Sequence, residues 1–263
     1  MPDIAEPFAE IQSDMATAIV KRVILVLVGP VVFLFLAIVP TICGNRRGYR
    51  GWYWRTVSRS CSVLLWFLDI RVQISDAARD ILAADSSSII AVNHRSHLDG
   101  FALLDAIPQE KWVTFGAKRE LCQAFLLRRG FVGAGLVEID RQSRKKALET
   151  IKAAVQAMPA RRSVILFVEG TRAKTPGLAP FKAGAVLAAR ATGRSVRPIV
   201  ISGSDQILPH GKILPRTGTI RIDVLTPLQP NLAKPADDDV TRLRKMMVAA
   251  FEAATGEKTS PTL

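Results

Sequence analysis

The 263-residue chain, 49% apolar, has the length for one sizeable α/β domain plus an appendage, and it can bury a full core. A net charge of +13, from 36 basic and 23 acidic residues, calls for an anionic partner. The arginines are scattered rather than interleaved with aromatics, and no zinc-finger or RNA-recognition pattern occurs, which sets nucleic acid aside. Cys43, Cys61 and Cys122 are isolated and odd in number, which argues against a disulfide framework and for a reducing compartment.

The first feature along the chain is an uncharged run, VILVLVGPVVFLFLAIVPTIC (23–43). At helical rise it is roughly 30 Å long, about the thickness of a bilayer's hydrocarbon core. Lys21 and Arg22 precede it, and Arg46, Arg47 and Arg50 follow. A cleaved signal does not fit, because a 20-residue, part-acidic leader stands before the run and no small-x-small site follows it. The bulk of Ile42 likewise rejects lipoprotein cleavage at Cys43. The run reads as a membrane anchor, spanning or re-entrant, with Pro30 and Pro40 as kinks. GWYWRTVSRSCSVLLWFLDI (51–70) has interfacial composition, with aromatic rings and cations before a shorter apolar run. Residues 1–70 are thus expected to form a leader with anchoring and interfacial helices, residues 71–255 the α/β domain and residues 256–263 a frayed tail.

Within 71–255 short apolar strands alternate with helical segments. Strands are predicted at RVQIS (71–75), SSIIAVN (87–93), WVTFGA (112–117), LVEI (136–139), SVILFV (163–168), VRPIVIS (196–202) and TIRIDVL (219–225). Leu148, Ile151, Val155 and Met158 share one face of a helix over 142–158. Further helices fit 97–106, 119–128 and 181–191. A last one over about 237–254 opens on Asp237, Asp238 and Asp239, favourable at the positive end of a helix dipole. The alternation predicts a central, largely parallel sheet with helices on both faces, whose chemistry lies at the carboxyl ends of the strands.

Four strand ends carry reactive residues. In NHRSHLDG (93–100) His94 follows a strand and Asp99 falls in the first turn of the next helix. Across that turn the carboxylate can meet one imidazole nitrogen and orient a general base. The alternatives are a metal site of His94, His97 and Asp99, which lacks a remote fourth ligand, and a histidine that merely caps a turn. His97 is read as secondary, and His210, in LPHGK, as a bystander. FVEGTRAK (167–174) puts Glu169, Gly170, Thr171 and Arg172 at the end of a buried strand, where a charge is costly unless paired or liganded. Arginine there has the shape to hold a phosphate by two parallel hydrogen bonds. GLVEIDR (135–141) ends on Arg141, and FGAKREL (115–121) supplies Lys118. One His–Asp pair, one glutamate and three cations at four strand ends imply convergence on an anionic substrate. The glycines of GFVGAG (130–135) precede a strand rather than a helix, so a dinucleotide site is set aside, and without a G-x-S-x-G elbow a serine hydrolase has little support.

N-H-x-S-x-x-D, F-x-x-K-x-E-L, G-x-x-x-x-D-R, E-G-T-R and PFKAGA, in that order and at these intervals, resemble the 1-acyl-sn-glycerol-3-phosphate acyltransferase family, glycerolipid acyltransferases with an H-x4-D motif. The resemblance covers roughly residues 70 to 205, and an N-terminal hydrophobic anchor is usual in the family. It implies His94 as general base and Asp99 as its orienting partner. It places Arg141, Glu169, Gly170, Thr171 and Arg172 in the acceptor-binding blocks, with Lys118 a phosphate contact, and reads VRPIVI (196–201) as an acyl-binding block around Pro198. The implied reaction moves an acyl group from acyl-CoA or acyl carrier protein to a lysophospholipid hydroxyl, with no cofactor and no metal. The implied setting is an anionic membrane surface, with the catalytic domain facing the cytoplasm. Other lysolipid or amino-lipid acceptors are the alternative, as is a membrane-bound lipid hydrolase. Two departures bear on the acceptor: Val168 replaces a common proline before E-G-T-R, and Glu138 occupies a position more often apolar.

Overall fold

A computed structural model describes residues 19–20, 23–24, 27, 49–118, 136–139, 144–157 and 162–260. In chain order they form α1 (Tyr49–Phe67), β1 (Ile70–Gln73), α2 (Asp76–Ala84), β2 (Ile89–Val92), α3 (Leu98–Ala106), β3 (Trp112–Lys118) and β4 (Val137–Ile139). There follow α4 (Arg144–Gln156), β5 (Arg162–Phe167), α5 (Gly184–Thr192), β6 (Val196–Ser202), α6 (Ser204–Ile207), β7 (Gly218–Val224) and α7 (Ala236–Thr255). All seven predicted strands form, each within two residues of its expected bounds. They make one sheet in the order β1-β7-β6-β2-β5-β3-β4. The β6–β7 pair alone is antiparallel, so β7 and β1 run against the other five strands.

The central strand β2 is buried on both faces, as a nearly all-apolar strand in a covered parallel sheet must be. Ile89 and Ala91 join a core with Val155 of α4, Val186 of α5 and Phe251 of α7. Ile90 and Val92 join the opposite core with Leu65 of α1, Leu82 of α2 and Leu103 of α3. Helices therefore cover both faces, as expected. The expected helix over 119–128 lies outside the described residues. So does nearly all of the 23–43 segment, and among the described residues no helix is long and apolar enough to cross a membrane.

The interfacial stretch becomes α1, which is docked on the domain. Ser58 Oγ donates to the Leu104 carbonyl at 2.7 Å, and Cys61 and Leu65 are buried. Burial, with a smaller contribution from the Asp105 charge, pushes the Cys61 thiol up to about 12, so it is unreactive at neutral pH. The tail expected to fray is instead held over Glu257–Thr259. Glu257 Oε2 accepts the Gly177 N–H at 3.2 Å, and Thr259 Oγ1 accepts the Leu178 N–H at 3.3 Å.

At the amino ends of the parallel strands lies a buried ionic knot. Lys111 Nζ stands 2.5 Å from Asp85 Oδ2, their side chains only 1% and 5% exposed. Ser88 and Ser163 hydroxyls donate to the same oxygen at 2.8 and 3.2 Å, and Arg197 reaches Oδ1 at 3.5 Å. Burial pushes the Asp85 carboxyl up, but the bonds from Lys111 and Ser88 and the charge of Arg197 outweigh it and hold the group below its ordinary value.

Candidate active site

At the carboxyl end of β2 the chain turns from Val92 into α3 within five residues, and several side chains of NHRSHLD hold that turn. The Asn93 side chain continues the ladder past the end of the strand: Oδ1 accepts the Ile201 N–H at 2.7 Å and Nδ2 donates to the Ile201 carbonyl at 2.8 Å. Ser96 Oγ donates to the Leu208 carbonyl at 2.9 Å and accepts the Leu98 N–H at the start of α3. His94 and Asp99 then converge, with Nδ1 2.8 Å from Asp99 Oδ2.

Asp99 is fully buried, and an isolated carboxylate there would be severely disfavoured. Oδ2 also accepts the backbone N–H groups of Arg95 at 2.7 Å and Ser96 at 2.9 Å, while the Ser204 hydroxyl donates to Oδ1. Its place in the first turn of α3 adds the favourable end of the helix dipole. So tied, Asp99 fixes the tautomer: Nδ1 carries the proton and Nε2 keeps its lone pair. The ring stacks on Phe167, centroids 4.0 Å apart and planes at 22°, and the side chain remains 21% exposed. An oriented, accessible imidazole whose second nitrogen has no partner among the described residues has the geometry a general base needs. Asp99 has both oxygens committed to protein donors, so the metal reading loses its carboxylate.

Glu169 faces inward. It is 3% exposed, its Oε1 accepting the His94 N–H and its Oε2 the Ala179 N–H, each at 2.7 Å. Burial pushes its carboxyl up to about 7, against the opposing pull of those two backbone bonds and of Arg95. The glutamate of E-G-T-R thus braces the histidine's own backbone. Gly170 has φ +73°, a region that penalises a Cβ, and turns the chain so that Ala173 N–H reaches the His94 carbonyl at 2.8 Å. Val168, the departure from proline, donates its N–H to the Val92 carbonyl at 2.9 Å, a bond proline cannot make.

Thr171 is exposed and Arg172 half-buried beside the histidines. Burial lowers the His97 pKa first, and repulsion from Arg172, His94 and His210 lowers it further. Arg172 therefore shares the rim with His94, and among the described residues no acceptor or carboxylate holds it. Lys182, from PFKAGA, lies with its stem beside Gly170. Lys118 ends β3, in register with Ile139 of β4, but its side chain is outside the described residues, as is the whole of Arg141. Glu138 sits on β4 between Val137 and Ile139, which pack into the core, and so projects to the other side.

Sequence reasoning missed Arg95. Its guanidinium is buried and donates to Asp205, to the Thr175 and Gly177 carbonyls and, at 3.4 Å, to Glu257, with Phe251 below it at 5.2 Å. It also missed Ser204, which belongs to no motif and meets Asp99 only because β6 lies beside β2.

Comparison with known proteins gives the following. The Acyltransferase family model matches residues 69–202. A 1-acyl-sn-glycerol-3-phosphate acyltransferase of Salmonella typhimurium is 30% identical over 172 residues, 65% of this chain and 68% of that protein. One from Cocos nucifera is 29% identical over 168 residues, 64% of this chain but only about half, 53%, of its own length. The crystal structure of the 1-acyl-sn-glycerophosphate acyltransferase PlsC from Thermotoga maritima superposes with a TM-score of 0.71 at 17% identity, covering 94% of this chain and 98% of that one, which is a likeness of fold.

Proposed function

Because the chain belongs to the acyltransferase family, that of the 1-acyl-sn-glycerol-3-phosphate acyltransferases, and is an O-acyltransferase, we propose that it acylates a lysophospholipid at a membrane surface. The acceptor we assign is 1-acyl-sn-glycerol-3-phosphate, giving phosphatidic acid, and the donor an acyl thioester of CoA or acyl carrier protein. The observation that carries this reading is the buried Asp99 locked onto His94 Nδ1, beside Arg172, which has no partner among the described residues.

In this mechanism His94 Nε2 takes the proton of the acceptor hydroxyl as its oxygen attacks the thioester carbonyl. The imidazolium that forms is held by Asp99. The tetrahedral intermediate collapses with cleavage of the C–S bond, and the departing thiolate recovers the proton from His94. The Gly170 N–H is committed to the Phe167 carbonyl, and those of Arg95 and Ser96 to Asp99. We therefore assign the oxyanion to the N–H groups of Thr171 and Arg172, which have no acceptor among the described residues. Arg172 and Lys182, with Lys118 and Arg141 by resemblance, would hold the phosphate and fix the hydroxyl beside the base. Residues 23–43 would keep the domain at the lipid surface, with the cations after residue 45 on the cytoplasmic side, where the thioester is found.

The test is to incubate purified protein with labelled acyl-CoA or acyl carrier protein and a panel of lysolipids, reading products by mass. Diacyl phospholipid should appear only with the donor and vanish in His94→Ala. Release of free fatty acid from phospholipid without a donor would replace the transferase with a hydrolase.

A further inference from the structure

Between α6 and β7 the chain leaves the sheet at the carboxyl end of β6, the end that carries His94, and returns to begin β7. The excursion is LPHGKILPRT (208–217). At its tip Ile213 is 91% exposed and Leu214 72% exposed. Lys212 and Arg216 flank them, both exposed and in no ion pair among the described residues. Pro209 and Pro215 stiffen the turn, Gly211 at φ +82° lets it bend, and the Arg216 N–H bonds the Ile207 carbonyl at 2.8 Å, so the tip is presented rather than folded back.

The excursion belongs to the catalytic rim. The Leu208 carbonyl accepts the Ser96 hydroxyl of the histidine turn, and His210 stands near enough to His97 for their charges to repel. The end of α1 meets the same rim, since the Gly218 N–H bonds the Asp69 carbonyl. Three residues before Asp69 is Trp66, 64% exposed, and Phe101 in the first turns of α3 is 39% exposed. A lone exposed apolar side chain needs no explanation. An apolar pair at a stiff tip, bracketed by two cations and followed around the rim by a tryptophan, has the composition of an element that sits in the headgroup layer.

We propose that the 209–216 excursion is a second bilayer contact, in which Ile213 and Leu214 enter an anionic leaflet while Lys212 and Arg216 pair with its phosphates, bringing the His94 rim down onto the lipid. This rests on the reading above that the acceptor is a membrane lipid, and it is independent of whether residues 23–43 span or dip.

The test uses the full chain with Cys43→Ser and Cys122→Ser, leaving the buried, unreactive Cys61 in place. An environment-sensitive fluorophore is attached at Ile213→Cys or, as a control at the opposite end of the sheet, at exposed Thr226→Cys. Vesicles rich in phosphatidylglycerol and carrying a nitroxide lipid should shift the label at 213 to the blue and quench it. The label at 226 should be unaffected, and Lys212→Glu with Arg216→Glu should reverse the effect. In the unlabelled chain, Ile213→Ser with Leu214→Ser should raise KM for vesicle-borne lysolipid several-fold and leave kcat at saturation unchanged. A label at 213 that stays in water while the protein binds those vesicles and turns over overturns the excursion's role and leaves the proposed function standing. Failure to act on any lysolipid, wherever the label lies, overturns the function itself. Shielding of the label without lipid, by acyl carrier protein or by raising protein concentration, would make the tip a protein-docking site and overturn the proposal too.

Discussion

The two ends of the sheet each bury a carboxylate, and they solve the problem oppositely. At the amino end Asp85 is saturated by Lys111, Arg197 and two hydroxyls, and nothing is left to react. At the carboxyl end Asp99 is just as completely satisfied, yet one of its four donors is an imidazole that stays 21% exposed, its second nitrogen without a partner among the described residues. Arg172 and Lys182 have no side-chain partner there among the described residues. A buried charge is therefore not the mark of a site. The mark is a satisfied charge that leaves its partner half-used.

Substitutions at the two ends should separate cleanly, and the largest effect lies at the carboxyl end. His94→Ala should lower kcat by about 10²–10⁴-fold while the thermal midpoint moves little. A similar loss of activity with an unfolded protein would mean that the imidazole holds the fold rather than the reaction. At the amino end Asp85→Ala should cost about 3–5 kcal/mol in urea denaturation, because it leaves a buried ammonium unpaired, with turnover per folded molecule preserved. If that change removes turnover at unchanged stability, the contrast between the ends fails. Arg172→Ala should raise KM for a phosphate-bearing lysolipid by about 10–100-fold, the loss of one charge-assisted contact of about 1.5–3 kcal/mol, and barely affect an uncharged acceptor.

The most gradual effect is a slope. Glu169 titrates at about 7 in the native protein, above the ordinary 4.5, so the native state holds a proton that the unfolded chain releases. Stability should decline as pH rises from about 4.5 to about 7, then level off. Glu169→Gln should flatten that decline in denaturation midpoints measured across pH. A slope that survives the substitution would assign it to another group.

The strands were legible because a doubly covered sheet demands apolar runs of fixed length, and the His94–Asp99 pair because strand ends are where side chains escape the core. The helix α2 carries little sequence signal, although Ser75 caps it by accepting the Ala78 N–H and Asp76 opens it. Its nine residues carry two buried apolar positions, Ala78 and Leu82, too few to stand out as a period. The reversed direction of β7 and β1 left no trace, since pairing direction does not alter the apolar content of a strand. Asp85, Lys111 and Arg197 are a helix end and two strand starts, and Ser204 lies 105 residues from Asp99. Such partnerships exist only after the sheet has fixed its strand order. The resemblance places Glu169 in the acceptor-binding blocks. Its two bonds to backbone N–H groups show how a loop can use the same charge for itself.

Arg95 sits next to His94 and holds Glu257, whose carboxylate also takes the Gly177 N–H. Gly177 has φ +76°, and a Cβ there would come within 2.8 Å of Thr259 Cα, so the loop after Arg172 and the last turns of the chain fit one another like a latch. A protease that trims the chain back past Glu257, or a purification tag that pulls this segment away, would therefore open the latch and loosen the histidine turn from 162 residues away.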